Sequence, residues 1–290
     1  MSAERQIERV SSRVAARFAR MYHGRRPAAK HATTVAKTRA TTIATIRQRF
    51  GRRSAWRELA NVIGITMAYF LTRGVIRGRE GDAFANAQTL IQMEQALGIY
   101  HEQALQQLAL TQQWLVDFVN YYYLYGHLPV LIGVALWLFW WRPTQYAWFR
   151  NAFIISAALG LTLYVSVPMA PPRFLPGFVD TMRVQGLDVD GSAAGLLYNP
   201  YAAMPSLHTG WSVLSGFFIV IASRQRWGKL LGFALPTLMI VSVVLTGNHY
   251  FLDAVVGSAV VALALTLAWA VERGPWAVRQ GARQRASVRS

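Results

Sequence analysis

Apolar residues gather into six blocks along the chain, each approaching the length of about 20 residues that crosses a bilayer as a helix. They are Leu59–Ile76, Trp114–Trp141, Ala147–Val167, Pro205–Ala222, Leu230–Thr246 and Tyr250–Val271. Between the first two, Ala83 to Leu110 places Phe84, Ala87, Leu90, Ile91, Leu97 and Leu105 among Gln and Glu. That spacing predicts an amphipathic helix pair lying on the membrane, broken near Gly98, as a lid or packing collar. Pro168 to Met204 carries Pro168, Pro171, Pro172, Pro176 and Pro200, so an irregular loop is expected there. The expected fold class is an all-α integral membrane bundle of six transmembrane helices, with an extramembrane amphipathic helical segment and a basic N-terminal tail. Three parts follow: a basic tail over 1–57, a six-span membrane domain over 58–272 and a basic C-terminal tail over 273–290.

Composition supports a membrane protein over a soluble one. Of 290 residues 53% are hydrophobic and 15% charged, and the mean hydropathy is +0.24. The net charge of +17 sits mostly on the flanks, since residues 1–57 alone hold 15 Lys/Arg. With the N-terminus inside, 25 Lys/Arg fall on the inner side of a six-span chain and 5 on the outer: Arg73, Arg77, Arg79, Arg173 and Arg183. The positive-inside rule then puts both termini in the cytoplasm and the Pro168–Met204 loop on the extracytoplasmic face of the cell membrane. Arg5, Arg9, Arg13 and Arg17 interrupt the stretch where the apolar part of a secretory signal would begin. In Glu4–Met21 the residues Ile7, Val10, Val14, Phe18 and Met21 recur at helical spacing, which fits either an interfacial basic helix or an irregular topology-setting tail. Anionic lipid is the expected partner of this tail, and nucleic acid is not. The chain has no cysteine, which excludes disulfides, thiolate catalysis and Cys-ligated metal.

Two stretches at span ends carry the candidate chemistry. In the first, Tyr198-Asn-Pro-Tyr-Ala-Ala-Met-Pro-Ser-Leu-His-Thr-Gly210, Pro205 suits a first helical turn. The backbone N–H groups of Ser206, Leu207 and His208 would then face a phosphate, with Ser206 and Thr209 adding hydroxyls and His208 an imidazole that protonates a leaving oxygen. In the second, His249 and Asp253 stand four apart on one helical face, so the carboxylate can accept Nδ1–H and leave Nε2 as nucleophile or base. Both have a plainer reading, a capped helix and a structural His–Asp pair. A two-His, one-carboxylate metal site is also conceivable from His208, His249 and Asp253. Six-span topology brings both stretches and Arg173 to one face, and together they suit phosphoryl transfer without metal or other cofactor. His249 would attack, His208 would protonate the leaving group, and Arg173 with the backbone amides would neutralise charge, Arg183 being a second candidate for that role. Tyr198, Asn199, Tyr201 and Asn248 are candidates for holding an acceptor. A transporter or scaffold with His–Asp relays is the non-enzymatic alternative, and would place ionisable groups near the bilayer midplane.

These residues resemble the membrane-bound type 2 phosphatidic acid phosphatase superfamily, whose motifs run K-x6-R-P, P-S-G-H and S-R-x5-H-x3-D. Pro205-Ser-Leu-His208 matches the second motif with Leu207 in place of glycine, and His249-x3-Asp253 matches the end of the third. The third motif's arginine is replaced by Val243, and the first motif is reduced to Pro171-Pro-Arg173. The resemblance implies a lipid substrate, a phosphohistidine on His249, Asp253 as its partner and His208 as general acid. The two departures look more like the inositol phosphorylceramide synthase and sphingomyelin synthase branch, which transfers a head-group phosphate to an alcohol. Hydrolysis of a phosphatidic acid or polyprenyl phosphate is the alternative within the same superfamily.

Overall fold

The computed structural model describes residues 78–187 and 200–273, with isolated positions between 56 and 67. The tail before residue 56, residues 274–290, most of the expected first span Leu59–Ile76, and Tyr198 and Asn199 therefore lie outside the described residues. All of the fold below belongs to the unit Ile63–Ser290.

Among the described residues the structure is helical, without a strand. Helix α1 spans Glu80–Ala96 and α2 Glu102–Leu110. Helix α3, Gln113–Tyr121, runs through a π-helical turn, Tyr122–Gly126, into α4, His127–Trp141. Helix α5 covers Pro143–Ser166, and a short α6, Thr181–Val184, lies in the following loop. The bundle is completed by α7 over Leu207–Ala222, α8 over Arg226–Leu245 and α9 over Phe251–Arg273.

Among the described residues four helices are long and apolar enough to cross a membrane: Gln113–Trp141, Pro143–Ser166, Arg226–Leu245 and Phe251–Glu272. The expected fourth span, Pro205–Ala222, is a shorter apolar helix, Leu207–Ala222, of 16 residues, about 24 Å long. Helix α7 sits in the middle of the bundle, where Leu214 and Phe218 pack with Leu131, Leu138, Phe149 and Val261 from three neighbouring helices. Small residues let those neighbours approach closely. A Cβ added at Gly216 would collide with the carbonyl of Gly232 on α8, and one at Gly210 would come within 2.7 Å of the Gly257 carbonyl on α9. The outer faces remain apolar, with Leu128, Ile132, Leu136, Phe233 and Leu263 exposed, and Trp140, Trp141 and Trp227 stand near helix ends. That is the pattern of a lipid-facing surface with an aromatic belt.

The amphipathic pair is found as expected, broken at Gly98, which takes φ +70°. It packs inward as a collar. Ala83, Ala87 and Leu90 of α1 lie against Met169, Ala170, Ala203 and Tyr250, residues of the loops that join the long helices. The proline-rich stretch is irregular where described, with a 3-10 turn at Pro172–Phe174 and the short α6.

Candidate active site

Three chain reversals meet at one end of the bundle. The stretch after α5 pairs with the stretch before α7, with Met169 N–H donating to Tyr201 at 2.7 Å and Ala203 N–H to Met169 at 3.1 Å. Ser206 N–H donates to the Asp253 carbonyl at 3.0 Å, tying the start of α7 to the first turn of α9. Arg173 N–H donates to the Gly247 carbonyl at 2.8 Å, tying the loop after α5 to the α8–α9 turn. Gly247 is the residue that ends α8, at φ +67°, a conformation that favours glycine.

These ties bring His208 and His249 to face each other with ring centroids 6.3 Å apart. Both line one small polar cavity of about 20 Å³ with Tyr123, Tyr164, Arg173 and Asn248, closed by Pro171, Pro200, Ala202 and Ala203. That volume accommodates about one water-sized group. His208 stands in the first turn of α7 and His249 two residues before α9, so both imidazoles lie at helix ends and not at mid-span.

Arg173 is 7% exposed and its guanidinium is held from three sides. One amino group donates to Asn248 Oδ1, Nε lies 3.3 Å from Asp180 Oδ2, and the Phe174 ring lies 4.8 Å from the guanidinium carbon. Asn248 is itself oriented by donating to Thr246 Oγ1 at 2.7 Å. It is thus an arginine-positioning group within the cavity wall. His249 Nδ1 lies 3.4 Å from Asp253 Oδ2, long for a hydrogen bond. The same oxygen accepts Tyr250 N–H at 3.1 Å. Asp253 therefore does two things: it closes the start of α9 as a capping-box residue and places its carboxyl group beside the imidazole.

Other expected members are placed elsewhere. Ser206 and Thr209 are fully buried and bonded to each other, and the Ser206 hydroxyl caps α7 by accepting Thr209 N–H at 3.4 Å. With its own N–H bonded to Asp253, Ser206 is a helix cap, because the cavity lies on the His208 side of this turn. Leu207 packs with Tyr164 and Ala202, against Gly160 of α5. Arg183 is exposed on α6 and is not among the cavity-lining residues. The Tyr201 ring packs edge-on against Phe84 and Phe174.

Tyr123, Tyr164 and His127 are additions that sequence patterning did not single out. Tyr123 stands 4.5 Å, ring to ring, from His208, and Tyr164 donates to the Pro205 carbonyl at 2.9 Å. His127, buried behind them at 5.2 Å from the His208 ring, faces Ser212 Oγ at 3.1 Å. Tyr123 and His127 come from the π-helical turn and its exit, an irregularity frequently found at functional sites. A second, apolar groove of about 420 Å³ runs between α2 and α8, lined by Leu108, Leu115, Val241, Leu245 and Phe251.

A histidine pair and a buried arginine thus meet at the end of an apolar helical bundle. The pattern of the PAP2 superfamily matches residues 88–267, and the chain belongs to that superfamily. It is accordingly a phosphatase or phosphotransferase of the kind that acts on lipid phosphates. No curated protein and no solved structure matches the chain.

Proposed function

We propose that the protein transfers a phosphoryl-bearing group from a lipid donor to an alcohol through a phosphohistidine on His249, at the extracytoplasmic face of the cell membrane. The observation that carries this reading is the approach of the two imidazoles to 6.3 Å around a cavity that also contains Arg173. His249 Nε2 attacks phosphorus, His208 donates a proton to the departing oxygen, and Arg173 neutralises the equatorial oxygens. The acceptor's hydroxyl then attacks the phosphohistidine while His208, now neutral, takes its proton. A cavity of this size leaves the organic part of the donor outside, where the apolar groove ending at Phe251 suits a lipid chain.

Transfer to an alcohol, in the manner of inositol phosphorylceramide or sphingomyelin synthases, is favoured by Leu207 and Val243 at positions where the phosphatase motifs carry glycine and arginine. Hydrolysis is the second reading, and the room for about one water beside the imidazoles favours it. Purified protein incubated with a panel of lipid phosphates and phospholipids, with and without inositol or glycerol, separates the two. A new phosphodiester that requires the alcohol supports transfer, release of inorganic phosphate without it supports hydrolysis, and neither product from any donor overturns both. The inward disposition of both termini and the attraction of the basic tail to anionic lipid rest on the Lys/Arg distribution.

Arg173→Ala is expected to lower turnover by about 10²- to 10³-fold, the usual effect of removing one charge-stabilising donor. Steady-state kinetics on the turned-over lipid checks it, and a change below threefold removes Arg173 from the phosphate site. Chelators are expected to leave turnover unchanged, because nucleophile, acid and charge clamp are all side chains. Inhibition by a chelator, reversed by adding back a divalent ion, would favour the metal reading of His208, His249 and Asp253.

A further inference from the structure

The start of α9 is held by three carboxylates from three separate elements. Asp253, its own third residue, accepts Tyr250 N–H at 3.1 Å. Glu102, the first residue of α2, accepts Phe251 N–H at 2.9 Å through Oε1. Glu94, near the end of α1, accepts Leu252 N–H at 2.7 Å through Oε1. Thus three successive N–H groups of a helix start, immediately after His249, are satisfied by acids, where an N-terminus favours negative charge.

Glu94 and Glu102 are both fully buried. Their other oxygens, Glu94 Oε2 and Glu102 Oε2, are buried without a donor as long as both carry no proton. The two side chains are, however, within hydrogen-bonding reach of each other. One proton placed between them satisfies both atoms at once, and two adjacent buried carboxylates cannot both ionise at ordinary cost. The groups that face Glu94 are acids as well: Glu102, Asp253, and through the same cluster Tyr100 and Tyr250. His249 adjoins this cluster through Asp253, 3.4 Å from its Nδ1, and His101 immediately precedes Glu102 in the chain. Burial together with this company pushes Glu94 up to about 8.

We propose that Glu94 and Glu102 are positioning residues: a carboxyl pair that shares one proton and thereby clamps the collar helices α1 and α2 onto the helix start that presents His249. Neither touches the cavity, and both act through the backbone of Phe251 and Leu252. Loss of the shared proton places two like charges in contact, drives the collar from α9, and releases the turn that fixes the His249 ring opposite His208. The kinetic part rests on the function proposed above; the proton-sharing part does not.

The sign follows from the raised value. Between the ordinary glutamate value of 4.5 and about 8 the folded chain binds a proton that the unfolded chain has lost. The pair's contribution to stability is full below 4.5 and declines as pH rises through about 8. The test compares wild type, Glu94→Gln, Glu102→Gln and Glu94→Ala/Glu102→Ala as full chains in detergent, in thermal melts and kcat and KM profiles from pH 6 to 9.5. Glutamine mimics the protonated carboxyl, since its carbonyl accepts a backbone N–H and its amide donates to the partner.

For the wild type, Tm falls across this range and kcat at pH 9 is about tenfold below that at pH 7, with KM little changed, as titration near 8 requires. Either single glutamine variant flattens the Tm profile, and the double alanine variant loses kcat about 10²-fold or more, the cost of a displaced reacting group. Wild-type Tm profiles in both glutamine variants, or a double alanine variant with wild-type kcat, overturn the proposal. If the variants do not fold, infrared titration of the wild-type chain decides: a protonated-carboxyl band that disappears near pH 8 supports the shared proton, and its absence at pH 6 overturns it. A chain that turns over no lipid yet shows these Tm and infrared changes sinks the functional reading and leaves the proton-sharing clamp standing.

Discussion

His249→Ala is expected to abolish turnover, by at least about 10³-fold, while the chain stays folded. The scale is that of removing a covalent nucleophile whose partners act with it as a unit. The fold survives because His249 holds its turn chiefly through the backbone: its N–H donates to the Val243 carbonyl at 3.1 Å, a bond alanine keeps. Its side chain is buried and faces the small cavity on one side. Asp253 loses the neighbouring imidazole but still accepts Tyr250 N–H, so the stability cost is about 1 kcal/mol, that of one lost polar interaction. Product formation and Tm measured on the same preparation check both halves. Retained activity in this variant rejects the phosphohistidine mechanism, and lost activity with an unfolded chain calls for His249→Gln instead.

The second large effect is expected far from any reacting atom. Gly257→Ala places a methyl group against the backbone carbonyl of Ser206, which cannot swing aside as a side chain would. Ser206 is the cap of α7, two residues before His208, and its N–H is bonded to Asp253 of α9. The methyl must therefore push α7 and α9 apart at the point where their first turns hold His208 and His249 in register. Overpacking of this kind costs about 1–3 kcal/mol, and a displacement of about 1 Å between reacting groups costs about 10²-fold in rate. Gly133→Ala, on a helix face where an added Cβ meets nothing within 4 Å, is the control and leaves Tm and turnover at wild-type levels. A Gly257→Ala variant as active as that control would show that the helix approach does not set the distance between the imidazoles.

The hydropathy pattern identified the long helices because a bilayer and a buried bundle both demand runs of apolar residues, and that demand is local. Four of the expected spans are present as helices of spanning length. The expected fourth span is present at α7 as a shorter apolar helix. The amphipathic pair over Ala83–Leu110 was legible for the same reason, through helical spacing and the break at Gly98. Its role as a collar with buried acids was not. Glu94 and Glu102 read as polar-face residues of an amphipathic helix, and only partners 158 and 149 positions away explain their burial.

The site divides along the same line. His208, His249, Asp253 and Arg173 were conspicuous as rare ionisable groups beside apolar runs and as short motifs. Asn248 was expected to hold an acceptor, and its bonding to Arg173 was not foreseeable from the chain order. Ser206 and Thr209 were expected to offer hydroxyls to phosphate, but a serine at a helix start has a competing local use as a cap, and here it takes it. Tyr123 and His127 sit inside an apolar run, where sequence alone gives an aromatic or a histidine no direction. The π-helical turn at Tyr122–Gly126 supplies it.

By itself, then, the order of residues determined that this chain forms apolar helices, which short segments carry titratable chemistry, and that phosphate-ester handling suits them. Periodicity and motif spacing act over a few residues and need no knowledge of what packs against them. The tertiary structure alone decided which groups share a cavity, that Arg173 is aimed by Asn248 and Asp180, and that two acids from the collar grip the helix start behind His249. Those outcomes depend on close helix crossings at glycines and on backbone groups seeking partners across more than a hundred residues, and no local pattern encodes either.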